Sequence, residues 1–247
     1  GSGNPADARF NGTNGTPYSS YTAPNLQTVV GSLLTFSGIN SYDVSLLPTT
    51  SVEFIIGTQI TVRNLLQTLS LVYQFDIIPS GTTVRCIPKN TAVSRVLTVN
   101  DIGHIEQSDG VGYSSHYNAR RIQGIDLPKS VTLTYVSKTL NYNTYTQTAT
   151  LETYTSGQDI KIDIPLVLSD DTALKVAQYA LVNAHMERQE YTFTTDYFNL
   201  DLEPGDIVTI PLDSGVTTDV RLVTINETTD GLLEMIGVRC DYNSHTW

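Results

Sequence analysis

Apolar positions change rhythm along the chain, and the changes mark out its elements. From Thr61 to Gln74, the residues Val62, Leu65, Leu66, Leu69, Val72 and Tyr73 fall on one stripe of a 3.6-residue period, which predicts an amphipathic helix. Ser51-Val-Glu-Phe-Ile-Ile56 before it reads as a strand that stops at Gly57. After the helix, Phe75–Ile78 and Thr83–Ile87 flank Pro79-Ser-Gly81-Thr82, a hairpin signal. Strand, helix and hairpin predict a small α/β domain over residues 41–93, its helix lying on one face of the sheet.

Beyond residue 125 a period of two dominates. Val131, Leu133 and Tyr135 alternate with Thr132 and Thr134, the run from Tyr145 to Thr155 alternates likewise, and Asn141-Tyr-Asn143 lies between them. Together they predict a long hairpin. The stretch Ile160–Ile210 organises the remainder of the chain. A strand over 160–169 contains Pro165, and a helix runs from Asp170 to about Glu190, with Ala173, Leu174, Val176, Ala177, Ala180, Leu181 and Ala184 on one face. Ser169 suits the N-cap, while Asp170 and Asp171 suit the positive end of the helix dipole. A helix of about 20 residues spans about 30 Å, so it must lie across a sheet or a neighbouring subunit, and its alanines allow close approach. Strands come next at Tyr191–Thr195, Asp206–Leu212, Asp219–Asn226 and Leu232–Asp241, with Pro204-Gly205, Asp213-Ser-Gly215 and Thr229-Asp-Gly231 in the turns.

The pattern predicts an α+β, mainly β protein: a small α/β domain, then an antiparallel β-barrel or sandwich over 125–247 with one long helix, 170–190, inserted in it. Residues 94–124 read as a connecting loop with short strands. Residues 1–40, rich in Gly, Asn and Ser, read as a linker or upstream strand; Leu26–Phe36 fits either a strand or a helical turn.

Composition narrows the function classes. The 247 residues are 40% hydrophobic without a run of 18 apolar positions, so no transmembrane helix is expected. No charged-then-apolar leader is visible, and Gly1-Ser2-Gly3 reads as a cloning remnant at the head of a fragment. A net charge of −11 and a pI near 4.6 argue against a duplex-binding module, which needs a basic footprint. Cys86 and Cys240 each sit inside a strand-like run without a CxxC partner and read as buried free thiols; a disulfide would need a proximity that spacing does not reveal. Asn11-Gly-Thr and Asn14-Gly-Thr read as turns, and as glycosylation sequons only in a secreted eukaryotic protein. Fourteen tyrosines fit half-exposed sheets.

No catalytic constellation emerges. His104, His116, His185 and His245 stand at neither HxH nor HExxH spacing, so no metal site is predicted. Ser114-Ser115-His116 is adjacency in sequence, which is not triad geometry, and GxSxG is absent. Asp163, Asp170, Asp171, Glu203 and Asp206 could offer the carboxyl pair of a glycosidase, yet each suits a strand face, a helix start or a turn. Gly110-Val-Gly112 lacks the lysine and helix of a phosphate loop, and Arg120-Arg121 is too short for a nucleic-acid patch. Catalytic, cofactor and metal residues are therefore predicted as none.

Four segments taken together carry a resemblance: Asp126-Leu-Pro-Lys-Ser-Val-Thr-Leu-Thr-Tyr135, Ile162-Asp-Ile-Pro-Leu-Val-Leu-Ser169, the alanine-rich helix, and Leu202-Glu-Pro-Gly-Asp-Ile-Val208. In this order and spacing, residues 42 to 242 resemble the tail-tip or baseplate hub proteins of long-tailed bacteriophages and gene transfer agents. The small α/β unit at 51–89 resembles the domain such hubs carry before their barrel. The resemblance implies a virion structural protein and no enzyme: a homotrimeric ring that closes the sixfold tail tube, touches tube or distal tail proteins above and a spike or fibres below, and lets DNA and the tape-measure protein pass. An acidic lumen would repel the phosphate backbone. A closing ring needs two different surfaces on each subunit, for which the alanine-rich helix and the edges of the long hairpin are candidates. The alternative is a carbohydrate-binding or glycan-hydrolysing β protein, with Tyr113 and Tyr117 as stacking platforms.

Overall fold

Asn25, Thr61 and Ser169 each hold a side-chain oxygen over a backbone amide, and a helix begins after each. The computed structural model describes residues 23–54, 60–89, 91–103, 116–151, 157–228 and 231–241. Its helices are α1 (Leu26–Phe36), α2 (Val62–Tyr73) and α3 (Asp170–Met186). The caps accept from Thr28 N at 2.8 Å, Asn64 N at 3.3 Å and Thr172 N at 3.2 Å, each contributing about 1 kcal/mol to its helix. The ambiguous stretch Leu26–Phe36 is thus a helix, with Leu26, Val30 and Leu34 fully buried. Gly31 on α1 admits the ring of Tyr42: a Cβ there would lie 3.1 Å from it.

The strands are β1 (Tyr42–Asp43), β2 (Phe75–Ser80), β3 (Thr83–Pro88), β4 (Arg95–Val96), β5 (Asn118–Arg121), β6 (Pro128–Ser137), β7 (Asn143–Thr150), β8 (Gln158–Leu168), β9 (Gln189–Thr195), β10 (Ile207–Pro211), β11 (Thr217–Glu227) and β12 (Leu233–Arg239). They form three sheets, ordered β1-β3-β2, β7-β6-β8 and β4-β10-β11-β12-β9-β5. Both predicted hairpins are present, β2–β3 in the first sheet and β6–β7 in the second. Asn141 and Tyr142 adopt positive φ in the β6–β7 turn. The short strands expected between 94 and 124 lie at opposite edges of the large sheet, β4 beside β10 and β5 beside β9.

The protein is α+β and mainly β, as its patterning predicts, but the described residues form no closed barrel. The reason lies in β8, which pairs parallel to β6 and completes a separate three-stranded sheet. The four strands after the long helix pair instead with one another and, at the two edges, with β4 and β5. The predicted strand at 51–56 is not a strand over its described part: Ser51 and Phe54 make only single bridges, to Asn25 and Leu166. Ile55 and Ile56 lie outside the described residues. The long helix ends at Met186 rather than near Glu190, because Gln189 and Glu190 already belong to β9, which β12 and β5 hydrogen-bond on either side.

Helix α3 lays Ala173, Val176, Ala177 and Leu181 against the sheet of β6 and β7, so the alanine face is covered within the chain itself. Two apolar cores result. One joins α1, α2 and the β2–β3 hairpin to the β6 sheet and α3 through Leu34, Leu69, Phe75, Leu133, Leu166 and Leu181. The other lies on the large sheet, around Phe193, Val208, Ile210, Leu222 and Met235, and takes in Leu97 and Ile102. Each buried Leu, Ile or Phe contributes about 1.5–3 kcal/mol relative to an exposed one.

Ion pairs tie the two cores together. Arg221 on β11 is 9% exposed; it reaches Asp76 on β2 at 2.6 Å and Glu187 at the end of α3 at 2.5 Å. Lys89 adds a 3.6 Å contact to Asp76. Beside it, Arg85 on β3 pairs with Glu203 at 2.6 Å, and Ser80 donates to the same carboxylate. The Pro204-Gly205 turn seats against this hairpin; a Cβ on Gly205, whose φ is +95°, would collide with Ile78 Cδ1.

Replacing Arg221 with Met is expected to cost about 2 kcal/mol in urea unfolding. That is less than the 3–5 kcal/mol of a fully buried broken pair, because Asp76 and Glu187 keep 33% and 36% side-chain exposure. An unchanged midpoint would mean that the cores hold their orientation without the pair. Gly205→Ala is expected to lose about 1–3 kcal/mol, and Gly215→Ala, at φ +78° in open space, distinctly less. Equal losses in thermal unfolding would show that backbone strain alone, and not contact with Ile78, sets the cost.

Candidate functional site

Three of the five carboxylates singled out in the sequence are engaged in a turn or at a helix start. Asp206 accepts from the amide of Glu203 at 2.9 Å and from Ser94 Oγ at 3.1 Å, which closes the Pro-Gly turn. Glu203 in that turn is held by Arg85 and Ser80. Asp170, at the start of α3, accepts from Tyr135 Oη at 2.6 Å, Ser137 Oγ at 2.9 Å and Thr139 Oγ1 at 3.1 Å. Asp163 on β8 and Asp171 on α3 are both exposed. Glu203 and Asp206 share one turn, where the Asp206 carboxylate takes the Glu203 amide and the Glu203 carboxylate points to Arg85 and Ser80 of the β2–β3 hairpin.

His185 on α3 shares a 2.8 Å hydrogen bond with the carbonyl of Pro128, and His116 sits just before β5. His104, His245, Gly110-Val-Gly112, Tyr113 and Ser114-Ser115 lie outside the described residues. Among the described residues no group of three or more His, Cys, Asp or Glu side chains could hold a metal ion. Cys86 and Cys240 are free, the first buried and the second half-buried. Burial pushes their thiols up, to about 11 and about 12. Tyr117 packs edge-on to Tyr191 with ring centroids 5.6 Å apart. Arg120 and Arg121 are exposed on the edge strand β5, opposite Glu190 and Gln189.

What the surface offers instead is apolar. The single helical turn Tyr197–Asn199, between β9 and β10, leaves Phe198 90% exposed and Tyr197 and Leu200 49% exposed each. Its shape is set from beneath: Asn199 is buried and donates to Thr195 Oγ1 at 2.6 Å and Asp196 Oδ1 at 3.0 Å. Arg95 on β4 holds Asn199 Oδ1 at 2.7 Å and Asp201 at 2.8 Å. On the other core, α1 and α2 leave a groove of 520 Å³ between Leu34, Ile39, Val62, Leu66 and Ile77, with Arg63 in its lining. Sequence reading missed both features. The adjacent aromatics Tyr197-Phe198, in a segment with no strand period, were the available signal for the first; the groove depends on how two helices pack and has no local signature.

Residues 61–225, two thirds of the chain, match the model of the Phage-tail_3 family, described as "Putative phage tail protein". The chain belongs to the Phage-tail_3 family. It is therefore a phage tail protein, a component of virion tails. The fold is similar to a protein in the "Virion of native gene transfer agent (GTA) particle", with a TM-score of 0.76 and 22% identity over 90% of this chain and 48% of that one. It is also similar to the tail protein from Neisseria meningitidis MC58, at TM-score 0.60 and 13% identity over 91% of this chain and 69% of that one. The 43 kDa tail protein of prophage MuSo2 from Shewanella oneidensis aligns at TM-score 0.56 and 12% identity, over 92% of this chain and 68% of that one. This chain spans about half the length of the gene transfer agent protein. No curated protein matches it.

The Asp170 cluster makes a pH-dependent contribution to the family fold. Hydrogen bonds from Tyr135 first, then Ser137, hold the Asp170 carboxyl below its ordinary value of 3.8. Tyr135 in turn is pushed up to about 12, by burial first and by its bond to Asp170 next. With the native value depressed, the stabilisation is complete above the ordinary value and is lost as pH falls from there through the native one. The melting-temperature gap between wild type and Asp170→Asn is expected to be widest above about pH 4 and to shrink below it. A gap that stays constant into acid would show that the ionised carboxylate contributes nothing.

Proposed function

We propose that this tail protein is a hub subunit of the tail tip, a structural component without enzymatic activity. In this reading three copies form a ring that closes the tail tube and connects it to a spike or fibres, with DNA passing through the centre. The observation that carries it is the overlay of 90% of the chain on a gene transfer agent virion protein, joined to the family match across both cores. Charge supports it too. A chain of net charge −11 lines a channel that phosphates are repelled from, so DNA slides without sticking. Asp170, Glu203 and Asp206, carboxylates that a glycosidase would need, are engaged in turns and a helix start, and the Tyr117 ring is engaged with Tyr191, which favours the structural reading over saccharide binding.

Light scattering of the purified chain across a wide concentration range, in low and high salt, is expected to give a mass that climbs to three subunits. Retention on immobilised DNA is expected to be negligible. A single-subunit mass at every concentration, or tight DNA binding, would count against the ring.

A further inference from the structure

We infer that the Tyr197–Leu200 turn of one copy docks into the α1–α2 groove of a second copy of this chain. The inference rests on the ring proposed above and names the contact that would build it. Exposing Phe198 to 90% costs hydrophobic free energy in an isolated chain, and the turn around it is held by hydrogen bonds. Asn199, Arg95 and Asp201 hold it by side-chain bonds, and three backbone bonds close it: Asn199 N to Asp196 O, Leu200 N to Tyr197 O and Leu202 N to Asn199 O. An apolar tip already fixed in shape loses little entropy on docking.

The groove suits such a tip in size and in charge. Its 520 Å³ falls within the range of sites that enclose an aromatic group with its neighbours. Arg63 in its lining is exposed and forms no salt bridge among the described residues. Asp201 on one side of the tip is already paired with Arg95, but Asp196 on the other forms no salt bridge among the described residues, so the cation in the groove meets one unpaired carboxylate on the tip. Tip and groove are different patches of one molecule. Their contact is therefore head-to-tail, the type that closes a ring when its rotation allows.

Sedimentation of wild type, Phe198→Ser and Arg63→Glu reads the contact, since both side chains are exposed and neither supports the fold. Each variant is expected to self-associate about tenfold more weakly or worse. Oxidising a mixture of Phe198→Cys and Gln67→Cys chains is expected to crosslink one variant to the other, with little crosslinking of either alone. Both variants also carry Cys240→Ser, and Cys86 is buried, so the native thiols stay out of this reaction. If wild type forms trimers and both charge and aromatic variants match it, the docking inference falls and the ring stands. Efficient crosslinking of Phe198→Cys to itself would likewise overturn it, by showing tip against tip. A wild-type chain that remains single at every concentration overturns both.

Discussion

Arg221 is a cation in the middle of a β-strand, nine-tenths buried, and its guanidinium spans two carboxylates that belong to the opposite core. Asp76 comes from the β2–β3 hairpin and Glu187 from the end of α3, so one side chain relates three elements at once. Its forked, planar donors suit this task, because two acceptors can be met in fixed directions. Apolar contact within each core is non-directional and would tolerate many orientations of one core on the other. The ion pair does not, and the seat of Gly205 on Ile78 narrows the choice further.

Carboxylates serve throughout as connectors. Asp206 and Asp101 close turns by accepting backbone amides, Asp170 gathers three hydroxyls at the start of α3, and Glu203 ties the turn before β10 to the β2–β3 hairpin. Charge-assisted bonds of this kind are stronger than neutral ones, and they order turns that have little apolar surface to bury. The acidic composition is then intelligible in part. Part of its negative charge organises the fold, in turns and at a helix start.

Those elements whose cause lies within a few residues could be read directly. The stripe on α2, the Ser169 cap with Asp170 behind it, and the turns of β2–β3 and β6–β7 all express local chemistry, and all are present. The resemblance carried by four spaced segments led to the tail family that the match over 61–225 established. Leu26–Phe36 stayed ambiguous because eleven residues with one glycine satisfy more than one period. The segment 51–56 has strand composition, but composition cannot supply a neighbouring strand, and only single bridges form over its described part.

Sequence by itself therefore determined the α+β class, most helix starts, both hairpins and the family. Tertiary structure decided the rest. It ran β8 parallel to β6, which split the expected barrel into two sheets, and it covered the alanine face of α3 with the chain's own strands. It also brought Arg221 to Asp76 across 145 positions, and set Phe198 on a turn held by Arg95 from 103 positions upstream. Local periodicity reports which face of an element is buried but not what buries it. Partners so distant in sequence are selected by how whole layers pack, and no short window of residues encodes that choice.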